Sequence, residues 1–372
     1  MAPLKLGMVG GGQGAFIGGV HRMASRLDGC FDLVAGAFSS TPDRAHASAA
    51  ELGIDMARSY ADFRDMAQAE AARPDGIDAV SIVTPNHLHG PIAEAFLEHD
   101  ISVICDKPMT ATLAQAESLK AAVDASRGHF FLTHNYTGYP MIRHARQMVA
   151  DGALGEIRII EANYLQDWLS AAPSEDNKQA SWRLDAAQSG GGAIGDIGTH
   201  AHNLMAFVSG LRATALSATL STHVAGRTVD DDARVTLQLA GGARAHIWAS
   251  QVAIGNENNL TLAIYGSTGA LRWAQENPNV LCVTEFGKAP HMITRGSGMA
   301  SPAAAAVTRI PAGHPEGYLE AFATLYREAA EVIRSQDRPR HVLGAEAGLD
   351  GVRFVDACQR SSRDGAAWIE LE

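Results

Sequence analysis

Leu4-Lys5-Leu6-Gly7-Met8-Val9-Gly10-Gly11-Gly12-Gln13-Gly14-Ala15-Phe16-Ile17-Gly18 is the stretch on which the reading of the whole chain turns. Lys5–Val9 reads as a short apolar strand, the glycines after it as a turn, and the residues beyond as the opening of a helix. Glycine at such a turn permits a tight reversal and lets main-chain amides approach a pyrophosphate at the positive end of the helix. The spacing departs from G-x-G-x-x-G. Gly10 and Gly12 fit its first positions, but the next glycine placed to pack helix against strand is Gly18. The loop of Gln13, Gly14, Ala15, Phe16 and Ile17 is therefore wider than usual. Glycine clusters also make ordinary turns, and it is the position after a first strand that gives the phosphate reading its weight.

Outward from this stretch, strand patterns at Phe31–Phe38, Ala79–Val83, Ser102–Cys105 and Phe130–Thr133 alternate with alanine-rich helical ones at Pro42–Leu52, Leu88–Glu98 and Ala111–Ser126. That alternation predicts a parallel sheet with helices on both faces, an N-terminal doubly wound Rossmann domain over residues 1–135. Ala, Leu, Glu, Gln and Lys dominate Ala111–Arg127, with Gly128 expected to end that helix. After a helix near Tyr139–Asp151 the texture changes to strand-like segments at Ile157–Gln166, Thr214–His223, Ala233–Leu239, Ala243–Val252, Leu260–Gly266 and Val280–Glu285. Ala245-His246-Ile247-Trp248-Ala249-Ser250 alternates in the manner of a sheet with one wetter face. Gly198–Val208, closed by Gly210, and Glu316–Arg334 read as helices, and Met299–Val307 as a mobile loop. Residues 136–372 are thus expected to form an α+β domain with a large, mainly antiparallel open sheet.

A length of 372 residues suits two domains, and 46% hydrophobic with 19% charged residues is ordinary for a globular protein. The net charge of −11 argues against nucleic acid or an anionic membrane as partner. No apolar run nears the roughly 18 residues of a membrane span. Met1 leads directly into the first strand, so no signal peptide is expected. Four cysteines (Cys30, Cys105, Cys282, Cys358) lie far apart, which predicts reduced thiols in the cytoplasm and no disulfide framework. Fifteen histidines include no HExxH or close Cys/His set, so no metal site is expected.

Cys105-Asp106-Lys107-Pro108 ends the apolar run that begins at Ile101. A lysine at the carboxyl end of a buried strand points into the crevice where open α/β sheets take ligands, and the proline stiffens the corner. Thr84-Pro85-Asn86-His87-Leu88-His89 ends another strand; Pro-Asn is also a turn that leads into a helix. The tip Phe38-Ser39-Ser40-Thr41-Pro42-Asp43-Arg44 has no acid at the usual position for binding a ribose diol. Ser39 and Arg44 there suit a 2′-phosphate, and equally a turn residue and a solvated helix residue. Asp196 and His200, spaced i, i+4, fall on one helix face, a pairing that elsewhere is commonly a salt bridge. The run Ser189-Gly190-Gly191-Gly192 before them allows close approach of backbone. His46 and His202 fall outside this pairing, as surface or packing residues.

Together these motifs resemble the Gfo/Idh/MocA family of nicotinamide-dependent sugar and polyol dehydrogenases, over essentially the whole chain. His21, three residues after Gly18, stands where the family has a histidine. Asp196 and His200 match its DxGxH motif, which completes the catalytic group with the lysine of an EKP-type tripeptide; Asp106 replaces the glutamate. The resemblance implies Lys107, Asp196 and His200 as catalytic residues. It implies a cofactor set of Gly10, Gly12, Gln13, Gly14, Ala15, Phe16, Ile17, Ser39, Ser40, Arg44, Thr84, Asn86, His89, Asp106, Lys107 and Asn135. NAD is the expected cofactor, with NADP as the alternative. Substrate would meet Lys107, Arg183, Asp196, His200 and His314, although His314 is equally a polar turn residue. The set Lys107, Arg183, Asp196 and His200 looks most like that of inositol dehydrogenases of the scyllo-inositol type. The expected reaction is oxidation of an inositol, or a related pyranose, to the ketone, with His200 as base and Lys107 stabilising the alkoxide. An NADP-linked sugar reductase or glycoside dehydrogenase is the alternative enzyme. A non-catalytic cofactor-binding sensor is the alternative of another class, and retention of Lys107 and His200 weighs against it. A homo-oligomer, dimer or tetramer, is implied through the second sheet.

Overall fold

The structure, a computed structural model, describes residues 2–171 and 186–371. It divides into two compact units, Met1–Asn135 with Leu319–Asp350, and Tyr136–Tyr318 with Gly351–Glu372. A single cut after residue 135 is therefore replaced by a division in which 319–350 return to the first unit. Buried polar groups explain the return. From the helix Tyr318–Ser335, the Tyr326 hydroxyl lies 2.8 Å from His21 Nδ1 and 2.9 Å from Ser81 Oγ, and Phe322 packs on the His21 ring at 4.9 Å.

In the first unit, β1 (Leu4–Gly10), β2 (Phe31–Ala37), β3 (Ala79–Val83), β4 (Ser102–Cys105) and β5 (Phe130–Leu132) pair in the order β2-β1-β3-β4-β5, all parallel. Between them run α1 (Phe16–Leu27), α2 (Pro42–Glu51), α3 (Phe63–Ala72), α4 (His89–Leu97) and α5 (Leu113–Ala125). β3, β4 and β5 are buried along their whole length, as a sheet covered on both faces requires. The strand order reverses at β1, so the carboxyl ends of β1 and β3 flank the ligand crevice of an open sheet. α5 ends at Ala125, ahead of Gly128. A Cβ on Gly128 would meet the Ile101 carbonyl at 2.9 Å, so this glycine serves a close chain crossing rather than the helix cap expected of it.

The second unit opens with α6 (Pro140–Ala150) and holds β6 (Ile157–Leu165), β7 (Ala213–Ser221), β8 (Asp232–Leu239), β9 (Arg244–Ser250), β10 (Asn259–Gly266), β11 (Gly269–Ala274), β12 (Val280–Glu285), β13 (His291–Thr294) and β14 (Ile369–Glu370). Their order is β13-β12-β11-β10-β6-β9-β8-β7-β14, antiparallel except for the parallel pair β6 and β9. Alternation sets the faces. Ala233, Val235, Leu237, Ala245, Ile247 and Ala249 are buried, whereas Arg234 and His246 are exposed on the other side. α6 and the helix Thr199–Ser209 cover the apolar face, where each aliphatic side chain withdrawn from water contributes about 1.5–3 kcal/mol.

α3, β11, β13 and the helix Ala345–Arg363 were not foreshadowed by periodicity, being short or diluted with alanine and glycine. Residues 299–307, expected as a mobile loop, instead contain the short helix Pro302–Ala305. Ser301 Oγ accepts from Ala304 N at 3.3 Å, and Ser301 N donates to His144 Nδ1 on α6 at 3.0 Å. Among the described residues no helix is long and apolar enough to cross a membrane.

Candidate active site

In the first unit the turn after β1 is shaped by what a side chain would strike. Gly10 and Gly11 have φ of 81° and 70°, the left-handed region that glycine enters at no steric cost. A Cβ on Gly18 would lie 2.4 Å from Gly11 Cα, so Gly18 is the residue that lets α1 seat against the turn, as its position in the sequence suggests. A Cβ on Gly12 would lie 2.7 Å from the Phe38 carbonyl. α1 begins at Phe16 after Ala15, with no side-chain cap, which leaves its first amides to an outside anion. The widened loop is anchored by Gln13, whose amide donates to Ser48 Oγ at 3.2 Å and whose side chain donates to Glu51 at 2.8 Å. Gln13, Gly14, Ala15 and Phe16 line an opening of about 350 Å³. A pyrophosphate-bearing cofactor fits this cradle on main-chain geometry alone.

At the tip of β2, Ser39 Oγ accepts from Thr41 N at 3.2 Å as a turn residue, and Ser40 and Arg44 are exposed. Beyond β3, Thr84 leads into a short turn with Asn86 buried. His89 is buried, its Nδ1 2.8 Å from the Pro108 carbonyl and its Nε2 2.9 Å from the Thr84 carbonyl. Both ring nitrogens thus face main-chain acceptors, and the imidazole braces the Thr84 loop against the loop that carries Lys107. Burial pushes the His89 pKa down, opposed by these two carbonyls and by the charge of Asp106. At the end of β4, Asp106 Oδ1 accepts from Lys107 N at 2.8 Å and from Thr133 Oγ1 at 3.2 Å. The shorter acid thereby folds back on its own corner and holds Lys107, whose bond to Pro108 is cis. Asn135 is buried and donates its amide to Thr133 O at 2.9 Å.

His21 lies beneath this cradle, fully buried against Tyr326 and Ser81. Desolvation lowers its pKa to about 4, against the opposing charge of Asp106, so the ring stays neutral.

In the second unit Asp196 sits in a π-helical turn, Ile194–Gly198, and His200 in the first turn of the α-helix that continues from it. Inserted π turns are frequent at functional sites. Gln251 Nε2 donates to Asp196 Oδ2 at 2.9 Å. The His200 ring is buried and meets Tyr136 edge-on at 4.8 Å, with Tyr164 at 5.9 Å. Tyr136 and Tyr164 share a 2.5 Å hydrogen bond, and Tyr164 donates onward to Asn258 Oδ1 at 2.7 Å. Burial raises the Tyr164 pKa well above its usual value, and the charge of Asp196 adds to the effect. The histidine thus has an aromatic wall and the aspartate a neutral amide to orient it. Gln251, Tyr136, Tyr164 and Asn258 escaped the sequence reading, because no motif or spacing links them to residues so far away in the chain.

His314 is exposed in a loop whose carbonyls converge on the buried Arg295. Arg295 donates to Ile310 O at 2.7 Å, Pro311 O at 3.1 Å and His314 O, and pairs with Glu316 at 3.0 Å. Arg183 and its neighbour Trp182 lie outside the described residues. His202 is a packing residue, stacked on Phe354 at 4.2 Å, and His46 is exposed, its Nδ1 2.9 Å from Ser59 Oγ. Among the described residues no group of three or more His, Cys, Asp or Glu side chains could hold a metal ion.

The first unit thus holds a parallel Rossmann sheet with a glycine cradle after β1 and a lysine corner after β4, and the second an Asp/His pair at the head of a helix. Residues 4–134 match the oxidoreductase family model for the NAD-binding Rossmann fold, and residues 142–272 match the GFO/IDH/MocA C-terminal domain. The chain belongs to the Gfo/Idh/MocA family of oxidoreductases. It is 49% identical to an oxidoreductase of known structure from Sinorhizobium meliloti, with 100% of both chains covered and a TM-score of 0.92. It is 36% identical to an inositol dehydrogenase homologue from Azotobacter vinelandii, solved with NADH and myo-inositol, at a TM-score of 0.92 over 99% of this chain and 98% of that one. A levoglucosan dehydrogenase from Pseudarthrobacter phenanthrenivorans is 30% identical over 76% of each chain. The protein is accordingly an NAD-binding dehydrogenase.

Proposed function

We propose that this dehydrogenase oxidises a ring hydroxyl of a cyclic polyol to the ketone, with inositols as the first substrate class and related pyranoses as the second. The observation that carries the reading is the acid and base at the head of one helix, with Asp196 held by Gln251 and His200 walled by Tyr136. Bound NAD supplies the hydride acceptor. His200 takes the hydroxyl proton, because imidazole is the side chain whose ordinary titration lies nearest neutrality. Asp196 orients that ring and stabilises the imidazolium that results. Lys107 binds the reacting oxygen and offsets its developing negative charge, a contribution that preorganised cations make most strongly away from water. Arg183 and His314 contact the remaining hydroxyls, where a guanidinium's forked donors suit a vicinal diol.

Gly10, Gly12 and the main chain of Gln13–Ile17 would hold the pyrophosphate. Ser39, Ser40 and Arg44 would flank the adenosine ribose, and Thr84, Asn86, His89, Asp106 and Asn135 would form the rest of the cofactor wall. The full-length similarity to an inositol dehydrogenase homologue supports the inositol reading, and the levoglucosan relative supports the sugar reading. We also propose a cytoplasmic homo-oligomer. The four free cysteines suit a reducing compartment. The outer face of the second sheet offers a surface to a second copy, with Arg234 stacked 3.7 Å over the Trp248 ring and Trp248 bonded to Asp232 at 2.8 Å.

NADH formation with a panel of inositols, monosaccharides and levoglucosan tests the reading. Turnover is expected with at least one inositol, and with NAD favoured about tenfold or more in kcat/KM, about 1.4 kcal/mol. A comparable preference for NADP overturns the cofactor choice, and turnover confined to anhydrosugars or pyranoses shifts the substrate class. Binding of NADH with no turnover on any polyol or sugar points to the sensor.

A further inference from the structure

Asp230-Asp231-Asp232 is a run of three acids that repels itself in an unfolded chain, yet the structure gives each a separate task. Asp232 begins β8 and accepts from the Trp248 indole at 2.8 Å. Asp231 is buried; its carboxylate accepts from His223 N and Val224 N at 2.9 Å and from Arg227 at 3.2 Å. Asp230 turns the other way. Its Oδ1 accepts from Gly192 N at 2.9 Å, its Oδ2 from Ile194 N at 2.8 Å, and its main-chain carbonyl from Ala193 N at 2.9 Å.

Three successive amides at the start of a helix normally look to a cap next to them in sequence. Here one residue from a distant loop takes all three, and the helix they open carries Asp196 and His200. The contact leaves no room for a side chain, since a Cβ on Gly192 would fall 1.7 Å from the Asp230 carbonyl. The glycine run, expected to bring backbone close to the site, brings it close to Asp230 instead. The same corner also reaches Asp196 by a second route. Gln251 N donates to Asp231 O at 2.9 Å, and Gln251 Nε2 holds Asp196.

We propose that Asp230 is a positioning residue of the dehydrogenase: it fixes the start of the helix that presents Asp196 and His200, while the adjoining Asp231 carbonyl fixes the glutamine that orients Asp196. This rests on the reading of Asp196 and His200 as the acid and base. A carboxylate in this place is not a stabilising luxury. Desolvation pushes its pKa up to about 6 against the amides that hold it, with Asp231 beside it adding to the rise. Charge retained at such a cost is characteristic of functional sites.

The test is Asp230→Asn, made beside His200→Ala and a control at the exposed Asp65 of α3, Asp65→Asn, with kcat expressed per NADH-binding site so that misfolded protein does not count. Asparagine keeps the shape but turns an NH₂ toward one of the amides. Displacing reacting groups by about 1 Å costs on the order of 10²-fold, so Asp230→Asn is expected to lose at least about tenfold in kcat with NADH affinity unchanged, and Asp65→Asn to stay near wild type. If His200→Ala is crippled while Asp230→Asn keeps wild-type kcat per site, the inference falls and the catalytic reading stands. If His200→Ala retains wild-type turnover, both fall together. Hydrogen exchange on the unaltered protein gives a result even where Asp230→Asn does not fold: amides 192–194 are expected to be strongly protected, and fast exchange there overturns the proposal.

Discussion

The two units hold their candidate site residues in different ways. In the first, the cradle is main chain: positive-φ glycines, an uncapped helix start, and two histidines, His21 and His89, kept buried and internally bonded. In the second, the proposed acid and base are side chains, on a helix held by another side chain and by a partly buried acid. The difference follows from the sheets. A parallel sheet covered on both faces has almost no solvated side-chain positions, so ligand meets it only at strand ends, through backbone. An open antiparallel sheet with one helix-covered face can place polar side chains such as Tyr164 and Gln251 at the margin of its core.

The comparison breaks most sharply at Lys107 and His200. His200→Ala is expected to lose about 10²–10⁴-fold in kcat, the usual range for a general base, with NADH affinity intact. Lys107→Ala is expected to lose about 10²–10³-fold and to weaken NADH binding, because the lysine stands on the cofactor-binding unit. Titrating NADH into both variants decides the matter: an equal loss of affinity in each would end the division of labour.

Acid stability sharpens it next. His21 and His202 are held near pKa 4 by burial, below the ordinary 6.5, so each contributes stability that is full above pH 6.5 and is lost as pH falls through about 4. Asp230 is raised to about 6 from 3.8, so its effect has the opposite sign: favourable at low pH, and lost as pH rises through about 6. Each shift corresponds to about 3 kcal/mol. Between pH 4 and 6 the histidines outweigh the acid, and the protein is expected to weaken on acidification. Asp230→Asn removes the opposing contribution, so thermal unfolding followed against pH should fall more steeply toward acid in that variant. An unchanged slope would show that Asp230 does not titrate in this window.

Gly18→Ala probes the main-chain half with a smaller effect. The added methyl meets Gly11 Cα at 2.4 Å, and overpacking of this kind costs about 1–3 kcal/mol. A lower melting temperature together with weaker NADH binding is expected, whereas kcat at saturating NAD should hold. Equal affinity for NADH in variant and parent would mean that the turn can yield without disturbing the cradle.

Much of this was legible in the chain because its causes are local. The β1 pattern, the glycine turn, the helical run from Leu113 and the alternation through β9 depend on neighbours within a turn or a pleat, so a window of residues determines them. The Asp-Lys-Pro corner and the Asp196/His200 spacing were readable for the same reason, whereas the exchange of glutamate for Asp106 came only from the family resemblance. Tertiary structure alone decided which groups hold these residues. Gln251 reaches Asp196 across 55 positions, Asp230 reaches Gly192 across 38, and Tyr326 reaches His21 across 305, a contact that also returns 319–350 to the first unit. Even the helix start differed, opening as a π turn on amides taken by Asp230. The reason is physical: a buried polar group must find a partner, and which partner arrives depends on how distant segments pack, not on any pattern within reach of its own turn.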